Sequence, residues 1–394
     1  MVPTQQGSDE QMGDLNVVKS EPVVVALSEV GEDRWGHHQF PTISALPDGR
    51  LFVTYNDTPD RNDAYGQPGP AYVSSDEGAT WQKHIPDDPL LAISNSIISE
   101  VLRGEYLCVP MSPSLDVERD NIQLPGLACT ANAYGQALFY RLNECPERVQ
   151  EFIRSIPAVR WVPDKAEWRR EEVTWDSGSA LARTRKSDYV IPRPYIDNRI
   201  FRVGDRLFYP DFHLSHLLSD GSMPENFACW CMVSDDNGRS WQRLALIAYD
   251  ETGELMMSEP SLVQTTGNEL ACVIRCTHHE QKPMLITWSS DGGEKWEKPV
   301  KLHEFGVMPQ TLLLGNNVLV ISYGRPGVQL LISPDGSARK WLPPIQVADD
   351  SCGYTRLLAL GDSSFLLAYS DFNWSEEGQQ RKAILVRKFN VARG

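Results

Sequence analysis

Six stretches of the 394-residue chain share one pattern of apolar and polar positions. An apolar run is broken by glycine or polar turn residues and followed by a second apolar run. The six are "FPTISALPDGRLFVTYND" (40–57), "SNSIISEVLRGEYLCVPM" (94–111), "YIDNRIFRVGDRLFYPDF" (195–212), "EPSLVQTTGNELACVIR" (259–275), "MPQTLLLGNNVLVISYGR" (308–325) and "GYTRLLALGDSSFLLAYSD" (353–371). Short runs rich in β-branched and aromatic residues, with turn formers between them, predict antiparallel hairpins. Four-stranded units repeated around a ring describe a β-propeller, and six hairpins predict six blades. The final run "KAILVRKFNV" and the early run "EPVVVAL" then complete one blade from both chain ends. This reading makes residues 1–20 a flexible tail and 21–394 a single all-β domain. The interval 112–190 is too long for one blade's outer strands, so it is expected to be an insertion with a short helix at "PERVQEFIRSI".

A second repeat lies between the hairpins. The motif S-x-D-x-G-x-x-W occurs as "SSDEGATW" (74–81), "SDDNGRSW" (234–241) and "SSDGGEKW" (289–296). A degenerate copy, "SPDGSARKW" (333–341), has Ser337 at the glycine position and its tryptophan one residue late. An aspartate at a turn tip accepts backbone N–H groups, glycine supplies a left-handed residue, and tryptophan folds back over the hairpin. These aspartates are expected to staple turns rather than to carry chemistry.

Composition narrows the classes. Hydrophobic and charged shares of 41% and 23% are those of a globular domain. A formal net charge of −16 argues against nucleic acid or an anionic membrane surface as partner. The eight cysteines fit neither a zinc spacing nor a CxxC motif and are expected to be free, mostly buried thiols. No metal or cofactor is implied. The N-terminal stretch has no apolar core of a signal peptide, which makes a cytoplasmic protein the default expectation, or a secreted or periplasmic one if a leader has been removed.

If the six hairpins are innermost strands, the start of each first strand and the end of each second strand meet at one mouth. His37, His38, Gln39, Asp63, Tyr195, Arg199, Glu259, Arg275, Arg325 and Tyr354 then gather around it. At this point the chain resembles the sialidase (neuraminidase) superfamily. The octets look like its Asp boxes, and "EPSLVQTTGNELACVIR" is similar to its Glu-to-Arg hairpin. Asp63 stands ahead of the first box, Arg325 shortly before the degenerate one, and "GYTRLLAL" resembles the segment that carries a nucleophilic tyrosine. The resemblance implies Tyr354 as nucleophile, Glu259 as its base and Asp63 as the acid. It also implies that Arg275 and Arg325 grip a substrate carboxylate. The expected partner is a glycan ending in an acidic sugar, cleaved with retention.

One position departs from the family. Its first arginine, in an R-I-P motif, has no counterpart in "HHQFPTI", which places Gln39 there with His37 and His38 just before it. Gln39 or His38 is expected to help bind the substrate, with Tyr195 and Arg199 across the ring. Two other functions use the same face. One is a uronate-directed lyase, with His38 or His37 and Tyr195 as base and acid in β-elimination, or an unusual hydrolase using the same pair; the other is glycan binding without turnover.

Overall fold

Each of the six hairpins forms, and each opens an antiparallel unit in the computed structural model, which describes residues 8–61, 64–132, 136–177, 180–185, 188–212, 216–276, 282–349 and 351–394. The first unit is His37–Ala45, Leu51–Asp57, Ala71–Ser74 and Gln82–Lys83; the fourth is Met257–Gln264, Leu270–Cys276, Met284–Ser289 and Val300–His303. The fifth is Val307–Leu313, Leu319–Gly324, Val328–Ser333 and Ile345–Ala348. The second (Ser99–Leu102, Glu105–Cys108, Ser155–Val162, Glu167–Trp175) and the third (Phe201–Val203, Arg206–Asp211, Ala228–Ser234, Ser240–Tyr249) join edge to edge. There Thr174 and Trp175 pair in parallel with Ser240 and Trp241.

The sixth unit uses both ends of the chain. Ser351–Ala359 pairs with Ser364–Glu376, which pairs with Gln379–Arg393. That last strand also accepts Val23–Leu27 along residues 383–386 and Leu15–Lys19 along residues 389–393. The stretch expected as a flexible tail is therefore strand from Ser8 onward, with Ser8–Met12 paired to Leu15–Lys19. The cause is the alternation in "LNVVK": Leu15 and Val17 point inward and are 1% and 2% exposed.

First strands of neighbouring units lie against one another, and hydroxyls stitch the units together. Ser261 and Thr311 share a hydrogen bond of 2.9 Å, and Ser322 and Thr355 one of 2.8 Å. Ser44 Oγ accepts the Ile98 amide, and Ser99 Oγ the Ile200 amide. Small polar side chains here satisfy backbone groups where strands from separate sheets meet edge-on. The larger side chains fill the space between sheets, as in the stacked Phe365–Phe389 pair of the sixth unit.

The interval 112–190 is only partly insertion. Ser155–Val162 and Glu167–Trp175 are the outer strands of the second unit. The remaining strands, Leu115–Asp116, Cys129–Asn132, Gln136–Arg141, Ala180–Arg185 and Asp188–Ile191, form a separate five-stranded sheet. The helix is Glu147–Arg154, whose Val149 and Ile153 are fully buried one turn apart. Both join the apolar cluster of Phe208, Cys229, Leu262 and Cys272, so this layer packs on the third and fourth units.

The octets are turns between third and fourth strands. In the first, Gly78 N–H donates to Ser74 Oγ (2.9 Å), Thr80 N–H to Asp76 Oδ1 (2.9 Å) and Trp81 Nε1 to the Gly78 carbonyl (3.1 Å). The same bonds recur at Gly293, Lys295 and Trp296. In the degenerate copy the amide on Ser333 Oγ belongs to Ala338, itself left-handed at φ 57°, which accounts for the late tryptophan. The described cysteines are free, six of them buried and Cys129 half-buried.

Candidate active site

A recurring bulge opens the site. The residue before proline in the first strand takes a left-handed backbone in three units: Phe40 (φ 54°), Glu259 (φ 46°) and Met308 (φ 47°). Gly353 (φ 79°) does so in the sixth unit. At each the strand register slips, between Gln39 and Thr42, Ser258 and Ser261, Val307 and Gln310, and Ser351 and Thr355. A bulge of this kind re-aims a side chain, and for a residue other than glycine the conformation costs on the order of 1–3 kcal/mol. Neighbouring units brace the Glu259 bulge: Asn198 Nδ2 donates to the Pro260 carbonyl at 2.8 Å.

Glu259 is 5% exposed and its carboxylate is saturated with donors. Arg275 Nη1 reaches Oε1 at 2.6 Å and Tyr354 Oη reaches the same oxygen at 2.7 Å. The Met308 amide donates to Oε2 at 2.9 Å. Burial acts to raise the Glu259 carboxyl, but the Arg275 charge and hydrogen bond, the Tyr354 hydroxyl and the Arg325 charge outweigh it and hold it below the ordinary range. Glu259 is thus a carboxylate at neutral pH, aimed at a phenol. That is the geometry of a base for Tyr354.

Around this line stands an aromatic wall. The Phe40 ring lies 4.5 Å from Tyr354 and 5.7 Å from Trp35, which is 46% exposed. The Arg325 guanidinium sits over both rings, 5.0 Å from Trp35 and 5.6 Å from Tyr354. Two glycines permit the approach: a Cβ on Gly324 would lie 2.1 Å from Gly353 Cα. Without that contact Arg325 and Tyr354 could not share a corner.

Glu259, Arg275, Arg325 and Tyr354, far apart in sequence, are therefore brought together. Asp63 lies outside the described residues. Gln39 is 1% exposed and its Oε1 accepts the Gly36 amide at 3.2 Å, so the first-unit side chain beside Tyr354 is Phe40. His38 and His37 face Asp57, at 2.9 and 3.5 Å. Burial acts to raise the Asp57 carboxyl, but the His38 hydrogen bond and the two imidazoles bring it below the usual value. The tyrosine in contact with His38 is Tyr55, at 3.4 Å. Tyr195 is half-buried, and its carbonyl accepts the Tyr209 hydroxyl. Arg199 is exposed beside Asn198.

Three residues near the centre escape a sequence reading. Trp35 and Phe40 form the wall, and the only signal for them was aromatic character next to "HHQ". Arg356 is 3% exposed and donates from Nη2 to the Asp197 carbonyl at 2.8 Å. Its signal was a cation inside an apolar strand, two residues after Tyr354. Among the described residues no group of His, Cys, Asp or Glu side chains is spaced to hold a metal ion.

A family model described as a BNR repeat-like domain matches residues 163–379, more than half of the chain. No curated protein sequence matches it. Among solved structures, a protein of unknown function from Dyadobacter fermentans superposes with a TM-score of 0.67 at 17% identity, covering 95% of this chain and 99% of that one. An α-L-arabinanase from Penicillium chrysogenum, complexed with arabinobiose, gives 0.56 at 14% identity over 93% and 98%. A Hadza microbial sialidase gives 0.55 at 15% identity, over 95% of this chain and 69% of its own. At these identities the likeness is one of fold, an all-β architecture of repeated antiparallel sheets.

Proposed function

This chain belongs to the BNR repeat-like domain family, and from that premise we propose that it is a retaining glycoside hydrolase on a six-bladed propeller, removing a terminal acidic sugar from a glycan. One observation carries the reading: the hydrogen-bonded line from Tyr354 to Glu259 to Arg275. A carboxylate nucleophile would be repelled by a sugar whose anomeric carbon bears a carboxylate. A phenol is neutral until its proton leaves, and sialidases are known exceptions to the two-carboxylate rule for this reason. Glu259 takes the Tyr354 proton as Tyr354 Oη bonds to the anomeric carbon and the glycosidic C–O bond breaks. The departing oxygen receives a proton from an acid, the role proposed for Asp63. Water, giving its proton to the now ionised acid, then attacks the same carbon; the bond to Tyr354 Oη breaks, the sugar leaves, and Glu259 returns its proton to the phenolate oxygen. Arg325, poised over Tyr354, is the nearer of the two arginines to an incoming carboxylate; Arg275 is committed to Glu259.

A second reading rests on the first unit. Phe40 and Trp35 stand where a carboxylate-binding arginine is expected, which favours a neutral furanoside stacking on the wall. Fluorogenic glycosides separate the two. The acidic-sugar reading expects turnover of a sialoside or uronide and none of an α-L-arabinofuranoside, with transfer to methanol giving the retained anomer. Tyr354→Phe should lower turnover by about 10,000-fold. Cleavage of the arabinofuranoside alone would favour the second reading, and an active Tyr354→Phe enzyme would sink the mechanism.

A further inference from the structure

The site has a floor as well as a wall. Arg356 follows Tyr354 by two residues on Ser351–Ala359, just past the register slip that ends at Thr355, and is buried where Tyr354 is half-buried. It crosses from the sixth unit to Asp197, ahead of the third, where Nη2 donates to the carbonyl oxygen. Its Nε and Nη1 are buried with no hydrogen-bond partner among the described residues. A guanidinium stays charged when buried, and a cation held by one neutral acceptor is unfavourable for folding alone. An apolar side chain of similar length would fit this place better. The charge therefore needs another reason.

The groups that face it supply one. From its own strand comes Tyr354; from the fourth unit Glu259, with Arg275 bonded to it; from the segment before Phe201, Asp197 and Tyr195, with Tyr209 hydrogen-bonded to Asp197. Arg325 approaches Tyr354 from the fifth unit. Burial lowers the Arg356 pKa, while the negative charge of Asp197 and Glu259, and of Tyr354 once ionised, acts to keep the proton on. The first unit offers Phe40 and a committed Gln39 instead of a third arginine at the mouth. Arg356 restores that positive charge from below.

We propose that Arg356 is a positioning residue of this site, a buried cation beneath Tyr354 and Glu259 that stabilises Tyr354 as a phenolate. The charge that appears on Tyr354 Oη when Glu259 withdraws its proton, and again when the covalent bond to the sugar breaks, falls within Coulomb reach of Arg356. Nothing in this role requires contact with substrate, which the burial of Nε and Nη1 precludes. The proposal rests on the reading of Tyr354 as nucleophile, but its test does not need a substrate.

The experiment is a pH titration of tyrosine ring-carbon NMR shifts in the full-length protein, with Tyr354 identified by its absence in Tyr354→Phe. In the wild type, Tyr354 should ionise no higher than a free tyrosine, about 10, despite the carboxylate bonded to it. In Arg356→Met the midpoint should rise by about one pH unit or more, a loss of at least tenfold in phenolate at a given pH, and Arg356→Lys should recover most of it. An unchanged Tyr354 midpoint in folded Arg356→Met, or a midpoint rising equally in Arg356→Lys, overturns the proposal. Should the Met variant not fold, a wild-type midpoint well above that of free tyrosine overturns it on its own. If the titrations behave as stated but no glycoside is turned over, the hydrolase reading fails while the role of Arg356 stands.

Discussion

In the first and fourth units the same backbone device presents two different side chains, Phe40 and Glu259. Both precede proline, both are left-handed at φ 54° and 46°, and both sit where the strand register slips. Both are nearly fully buried, at 4% and 5% exposure. Their surroundings diverge from there. Phe40 meets two aromatic rings, whereas Glu259 meets a guanidinium, a phenol and an amide. The bulge is a property of the fold that turns a side chain toward the neighbouring units. Chemistry enters only through which side chain is turned. An apolar residue occupies the position at no electrostatic cost, while a carboxylate needs all three donors, and the chain supplies them from three different units.

Replacing each residue breaks the comparison most directly. Glu259→Gln should lower turnover by about 100- to 10,000-fold, since the amide cannot take the Tyr354 proton. Phe40→Leu should raise KM several-fold and leave kcat within about threefold, because the wall contributes binding alone. Steady-state rates on the substrate identified in the glycoside panel check both, and equal losses from the two variants would end the distinction. The stability of the protein carries the same signature. The Glu259 carboxyl ionises below its ordinary value of 4.5 in the fold. Its stabilisation is therefore complete above that ordinary value and is lost as pH falls through the lower folded value. Thermal unfolding followed from neutral pH downward should show a steeper acid limb in the wild type than in Glu259→Gln. Parallel limbs would assign acid sensitivity elsewhere.

How much of this could be read from the chain follows from how local each feature is. The hairpins and octets are closed by contacts within a few residues, so their sequences declare them. The five-stranded sheet pairs Leu115 and Asp116 with Ile191 and Val190, across an entire unit's outer strands, and nothing in either short run announces the other. Glu259, Arg275, Arg325 and Tyr354 were legible because they stand at the ends of the repeated hairpin runs and follow, by resemblance, the family's order of residues. Gln39, expected to help bind substrate, has its Oε1 on the Gly36 amide. The register slip after it turns Phe40, not Gln39, toward Tyr354. Restoring an arginine there should consequently fail: Gln39→Arg would bury a cation beside the Gly36 amide. It should destabilise the fold by about 3 kcal/mol without lowering KM for an anionic glycoside. A variant of undiminished stability with tighter binding would show that position 39 does reach the site.

The smallest effects belong at the opposite end of the units. Second strands run toward Glu259 and third strands run away from it, so the octets that follow the third strands lie far from the chemistry. Their aspartates differ in what they hold. Asp236 accepts the Arg239 and Ser240 amides and the Ser234 and Ser240 hydroxyls. Asp335, in the degenerate copy, accepts one amide and two hydroxyls from Ser333 and Ser337. Asp236→Ala frees two backbone N–H groups at an exposed turn, where water replaces part of the loss, and should cost about 1–2 kcal/mol. Asp335→Ala frees one and should cost less than about 1 kcal/mol. Neither should change kcat, because no strand of the mouth depends on the turn's geometry once the sheet is paired. Denaturant unfolding of the two variants beside their turnover tests this. A drop in kcat at unchanged stability in Asp236→Ala would mean that the octets do more than fasten turns.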